Sequence, residues 1–240
     1  MSTMKISNVS AFALRFTDSE EAGSPYHLPR EGWRSVSPCA HEAMVVRIET
    51  DEGVFGYGEG QSPVSPDTTK TIVDDLCTPF LLGKDPFDVE FLWQRLYSAM
   101  RERGHPTGFY MDALAACDIA IWDILGKAAG KPVHKILGGR YRDSVRLYAG
   151  IGGPDPEKAA DRATELVADG YDALKLHLPI DRRKVLPVVA AVRERVGPDV
   201  DLMVDLHTQY SVSDAIKIGR GLEELDAFWL EAPTVPEDIQ

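Results

Sequence analysis

Five ionisable side chains stand at the ends of three short apolar runs. Lys175 and His177 lie in ALKLHLP (173–179), Asp205 and His207 in LMVDLHT (202–208), and Glu231 in FWLEAP (228–233). If each run is a strand, residues two apart share a face. Lys175 then pairs with His177 and Asp205 with His207, while Glu231 holds the last place before Ala232-Pro233. Parallel neighbouring strands would bring all five to the C-terminal edge of a sheet, where α/β proteins place their sites. Two carboxylates on adjacent strands suit a hard cation such as Mg²⁺, which takes oxygen ligands and keeps positions for water or substrate. A third acidic ligand is expected beside Asp205 and Glu231. Taken singly, each residue has a plainer reading: Lys175 a solvated strand end, His177 a structural histidine, Asp205 a helix cap, Glu231 a rim ion pair. Their recurrence at equivalent positions of three successive units argues for chemistry. Ionisable groups on a sheet's inner face are costly unless they pair or bind an ion.

The elements that must position these tips follow from the pattern around them. After Gly138-Gly139, VRLYAG (145–150) reads as a strand, Gly152-Gly153-Pro154 as a turn, and PEKAADRATELVADG as a helix closed by Gly170. ALKLHL and DLMVDLH are further strands, with a helix over 182–196 between them that tolerates Pro187 only in its first turns. A helix from about Ser213 to Leu222 leads to a last strand, AFWLEAP. Strands alternating with helices through short connections are the repeating β/α unit of a parallel sheet or barrel.

Upstream the pattern differs. Residues 4–16 alternate as a strand, and HEAMVVRIETDEGVFGYGEG (41–60) is a hairpin turning at Asp51-Glu52-Gly53, giving a three-stranded meander. Helical spacing starts at Pro66, again near Pro86, and again from Met111 to Ala129, where Gly130 and Pro132 stop it. Between strand and hairpin, residues 17–40 form a long Gly-, Pro- and Ser-rich loop holding Tyr26, His27 and Trp33. Such loops serve as lids or binding loops, or are plain surface excursions.

The formal net charge of -12 argues against a nucleic-acid partner. Three cysteines, odd in number and without a CxxC, give neither a disulfide framework nor a zinc cluster. No signal peptide and no apolar run of about 18 residues is read, so the expectation is a cytoplasmic chain away from membranes.

Several of these segments together resemble the mandelate racemase/muconate lactonizing branch of the enolase superfamily. ALAACDIAIWDILGKAAGKPVHKILGGRYRDSVRLYAG (113–150) is similar to its junction of capping domain and barrel, and GYDALKLHLP to its second barrel strand with a Lys-x-Lys motif. MVDLHTQYS is similar to the third strand with a metal-binding Asp, and FWLEAPTVPEDIQ to the fourth with a metal-binding Glu. The resemblance implies an α+β capping domain (1–140) followed by the first half of a (β/α) TIM-type barrel (141–240). It implies a Mg²⁺ ion held by Asp205 and Glu231, removal of the proton α to a substrate carboxylate, and Lys175 on that carboxylate. His177 departs from the family by replacing the second lysine of the motif. His207, in an Asp-x-His arrangement, resembles acid-sugar dehydratases, in which it protonates the leaving hydroxyl. Tyr26, His27 and Trp33 would touch substrate from the capping loop. The implied reaction is dehydration of a sugar acid, a small-molecule carboxylate, with racemisation, epimerisation or cycloisomerisation as alternatives, in a homo-oligomer. Family members are longer, with a third metal ligand and an Asp/His dyad on later strands. The sequence is therefore read as C-terminally truncated, the 240-residue chain alone as inactive, and a non-catalytic remnant acting in assembly or binding as the rival reading.

Overall fold

A computed structural model describes residues 4–16, 26, 27, 36–38, 41–179 and 181–238, with the backbone alone at 26, 27, 37 and 38. Among the described residues, those through Asp143 and those from Ser144 onward form two compact units.

The first unit is built on an antiparallel sheet. Its strands are β1 (Ile6–Phe16), β4 (His41–Thr50) and β5 (Phe55–Gly60), in the order β1-β4-β5. Between β1 and β4 a two-residue ladder pairs β2 (Tyr26–His27) with β3 (Ser37–Pro38). Val9, Ala11, Met44, Val46 and Ile48 alternate onto one face and are buried. Helices α1 (Pro66–Ile72), α2 (Thr78–Leu81), α3 (Val89–Arg101), α4 (Phe109–Ala128) and α5 (Val133–Ile136) complete the unit. The glycines of β5 let α4 settle onto the sheet backbone. A Cβ at Gly58 would stand 1.9 Å from the Ala116 carbonyl oxygen, and one at Gly56 would stand 2.1 Å from that of Ala120. The single helix expected from Pro66 is interrupted by a π-helical turn, Val73–Cys77. Pro79 lacks an amide hydrogen, and the Thr78 amide and hydroxyl both turn back to the Val73 carbonyl.

The second unit alternates strand and helix: β6 (Ala149–Gly152), α6 (Pro156–Ala168), β7 (Ala173–His177), α7 (Arg182–Val196), β8 (Asp201–Asp205), α8 (Val212–Glu224) and β9 (Trp229–Glu231). The strands are parallel neighbours in the order β6-β7-β8-β9. Asp155, Asp181 and Ser211 cap the three helices by accepting amide hydrogen bonds, and Gly170 (φ 97°) stops α6 in the left-handed region. The register pairs Leu174 with Leu202 and Leu176 with Val204, and these side chains are fully buried with Val185, Val188, Val189 and Val192 of α7. The opposite face carries Lys175 beside Met203, and His177 beside Asp205.

Three strands are shorter than the sequence suggests. The first begins at Ala149 rather than Val145, because β7 offers its first paired position at Leu174, opposite Ala149. Val145 and Leu147 lie outside that ladder and are exposed. The third strand ends at Asp205, so DLMVDLH is not extended to its end; His207 and Thr208 adopt positive φ of 48° and 59°. The fourth is confined to Trp229–Glu231, where Met203, Val204 and Asp205 pair with it.

Candidate active site

The last residues of β7, β8 and β9 are His177, Asp205 and Glu231, and the register places them in one row, His177 against Asp205 and Asp205 against Glu231. Alternation does the placing: Leu176, Val204 and Leu230 form the row that points to the helices, so the next row points away from them. One row back stand Lys175, Met203 and Trp229. The backbone continues the ladder past the strands. The amide of Leu178 donates to the Asp205 carbonyl at 2.8 Å and that of Leu206 to the Glu231 carbonyl at 3.0 Å, which fixes the three tips relative to one another.

The Lys175 ammonium lies between the two carboxylates. Its Nζ is 3.2 Å from Asp205 Oδ2 and 2.9 Å from Glu231 Oε1. Burial pulls the lysine pKa down, and the hydrogen bonds and charges of Glu231 and Asp205 outweigh it, so the group sits above its ordinary value. Asp205 is 7% exposed and divides its oxygens: Oδ1 accepts the His207 amide at 2.9 Å, which leaves Oδ2 toward Lys175 and His177. The cap of the next helix is Ser211 rather than Asp205. His177 Nε2 is 4.0 Å from Asp205 Oδ2. Burial lowers the His177 pKa, and the neighbouring His207 and Lys175 add to that against the opposing pull of Asp205 and Glu231.

His207 reaches this cluster by a route that strand alternation does not supply. The chain leaves β8 in a left-handed turn pinned by the Asp205 side chain, by Gln209 Nε2 donating to the His207 carbonyl at 2.9 Å, and by the Thr208 amide on the Ala232 carbonyl. The two imidazoles meet edge to face with centroids 4.9 Å apart. Ligand atoms of His177, Asp205 and His207 all lie within 4.8 Å of one another.

The structure thus brings Lys175, His177, Asp205, His207 and Glu231 together. Trp33 lies outside the described residues, as do the side chains of Tyr26 and His27. Tyr148 and Trp229 were read only as strand residues, yet they line the same face. Lys175 Nζ stands 5.7 Å from the Tyr148 ring centroid, and Tyr148 and Trp229 pack edge to face at 6.2 Å. For Trp229 the signal was available, since it stands two residues before Glu231 and so on the same face.

The donor set fits a magnesium ion in kind. The two in-register carboxylates already bracket one cation, the Lys175 ammonium, and oxygen donors are what a hard divalent ion requires.

Comparison with known proteins supplies the context. Residues 30–138 match the family described as "Mandelate racemase / muconate lactonizing enzyme, N-terminal domain", and residues 158–240 match "Enolase C-terminal domain-like". The chain is 37% identical to a D-galactarolactone cycloisomerase of Agrobacterium fabrum over 82% of its own length and 52% of that protein. It is 34% identical to a D-galactonate dehydratase of Pectobacterium atrosepticum over 82% of its own length and 53% of that protein. It therefore spans about half the length of the curated relatives it matches. The solved structure of D-glucarate dehydratase from Agrobacterium tumefaciens complexed with magnesium superposes with a TM-score of 0.80 at 32% identity, over 99% of this chain and 63% of that one. The architecture is accordingly an α+β capping domain followed by part of a (β/α) barrel. Among the described residues no helix is long and apolar enough to cross a membrane.

Proposed function

Because the chain belongs to the mandelate racemase/muconate lactonizing branch of the enolase superfamily, we propose that its residues form one wall of a site that removes the proton α to a carboxylate, and that the reaction is dehydration of a sugar acid. The observation that carries this is the row His177–Asp205–Glu231, with Lys175 bracketed between its carboxylates.

Asp205 and Glu231 would hold Mg²⁺. When bound, the ion supplies Lewis-acid polarisation of the substrate carboxylate. Lys175 Nζ donates to that carboxylate and meets the negative charge that gathers as the α-proton leaves. His177 Nε2 would take the α-proton, or return one on the same face. His207 gives a proton to the departing β-hydroxyl, which would otherwise leave as hydroxide. The loop with Tyr26, His27 and Trp33 would read the hydroxyls of the acid. Two carboxylates are few for magnesium, so the 240-residue chain by itself is expected to be a poor catalyst.

The test joins residues 1–240 to the remaining length of the D-galactonate dehydratase relative and follows aldonic and aldaric acids by proton NMR in deuterated water. Dehydration gives a 2-keto-3-deoxy acid, and His207→Asn should lower its rate by roughly a hundredfold while exchange of the α-proton persists. Dehydration unchanged in His207→Asn removes that role. No α-exchange with any acid, in a folded protein, removes the reading. The 37% identity to a cycloisomerase favours one second reading, lactone chemistry on the same first step. It would be recognised by α-exchange and ring isomerisation without loss of hydroxyl.

A further inference from the structure

Asp205 belongs to two different donor sets. With Glu231 it offers only oxygen. With His177 and His207 it offers one carboxylate oxygen and two imidazole nitrogens, all within 4.8 Å of one another. We propose that His177, Asp205 and His207 form a second, overlapping binding site for a borderline divalent cation, Zn²⁺ foremost, which holds both imidazoles.

The geometry is close to what such an ion needs. Zinc–nitrogen bonds of about 2.1 Å in a tetrahedron set neighbouring ligand atoms about 3.4 Å apart. The required closure is a rotation of two side chains that have room to move: the His177 side chain is 40% exposed, and His207 is exposed. Asp205 is the fixed member, buried and tied through Oδ1 to the His207 amide, so its Oδ2 remains aimed at His177. That same amide bond carries the His207 backbone to the carboxylate it would share an ion with. Lys175 does not have to leave. Its Nζ contacts both oxygens of Glu231, at 2.9 and 3.0 Å, and keeps them when Asp205 Oδ2 engages the ion.

The two donor sets select different metals. Imidazole suits zinc and its neighbours, whereas magnesium keeps to oxygen and water. Three protein ligands also leave a fourth position for water, as in three-ligand zinc sites generally. The inference shares Asp205 with the magnesium pair but does not depend on the reaction proposed above. It is tested by binding alone, on the 240-residue chain.

Zn²⁺ is titrated calorimetrically into the wild type and into the variants His177→Asn, His207→Asn and Glu231→Gln. One ion per chain is expected. Each histidine change should weaken it by roughly tenfold or more, and Glu231→Gln should alter it by less than about threefold. The second measurement needs no variant. One equivalent of Co²⁺ should produce two strongly shifted, exchangeable imidazole N–H resonances in the proton NMR spectrum. Absence of one-to-one binding, a smaller loss in either histidine variant, a Glu231→Gln loss as large as theirs, or a cobalt spectrum without two such resonances overturns the assignment.

Discussion

The parallel sheet of the second unit carries charge at both rims, and the rims use it differently. At the rim where the strands begin, Arg193 donates to four backbone carbonyls, those of Gly197, Val200, Leu225 and Asp226. Beside it Arg146 joins the side chains of Asp172 and Asp201, one just before β7 and one at the start of β8. Each cation there ties together chain ends that would otherwise leave carbonyls or carboxylates without a donor. At the rim where the strands end, two carboxylates converge on one ammonium, and two imidazoles stand beside them. Acceptors there outnumber the cation they share. A saturated charge ties the fold together, whereas one that leaves acceptor capacity unused is ready for a ligand.

That contrast can be broken in order of effect. The largest change is expected from Arg193→Ala, which strips donors from four carbonyls at once. It should destabilise the chain by about 2–4 kcal/mol in urea unfolding without altering divalent-ion binding. A stability loss below about 1 kcal/mol would mean that the first rim is not structural in this sense. Next, Mg²⁺ should raise the melting temperature of the wild type and not that of Asp205→Asn; an equal shift in both would place the ion elsewhere. Lys175→Met should lower the stability of the metal-free chain by about 1 kcal/mol through repulsion of Asp205 and Glu231. Mg²⁺ should restore it and bind more tightly than in the wild type, because no ammonium competes; weaker binding would contradict the bracketed-cation reading.

The smallest effect belongs to Arg146→Met, on the exposed part of the first rim. Arg146, chiefly through its hydrogen bond, holds the Asp172 carboxyl below its ordinary range. A carboxyl with a depressed folded pKa contributes stability above its unfolded value, about 3.9, and loses it as pH falls through the folded one. Stability curves of wild type and Arg146→Met should therefore run apart at neutral pH and meet in acid. Curves that stay equally separated at low pH would rule out this coupling.

Much of the second rim was legible because strand alternation and strand ends are sequence-level properties. Lys175 with His177 follows from a period of two, Asp205 from its place on a strand, and Glu231 from standing last before Ala232-Pro233. His207 was assigned to the right cluster by an incorrect geometric argument. Alternation would have required β8 to continue, and nothing in LMVDLHT announces a non-glycine residue at φ 48°. The turn depends on a side-chain-to-backbone bond from Asp205, which hydrophobic periodicity does not encode. VRLYAG failed for a different reason. Its apolar residues have the composition of a strand, but pairing depends on what the neighbour offers, and the first position of β7 paired with this strand is Leu174, opposite Ala149. The π-helical turn before Pro79 was hidden because apolar spacing hardly changes across one such turn.

The row of strand-terminal residues also makes the fold check itself. A slip of β8 by one residue against β7 would exchange Asp205 for Val204 or Leu206 in the row and drive the carboxylate into the leucines and valines beneath the helices. The misregistered chain would lose its ligand and incur the burial of a charge in the same step. Cation binding at the proposed Asp205–Glu231 site would therefore be an assay of register, reporting on correct folding of the sheet before any substrate is added.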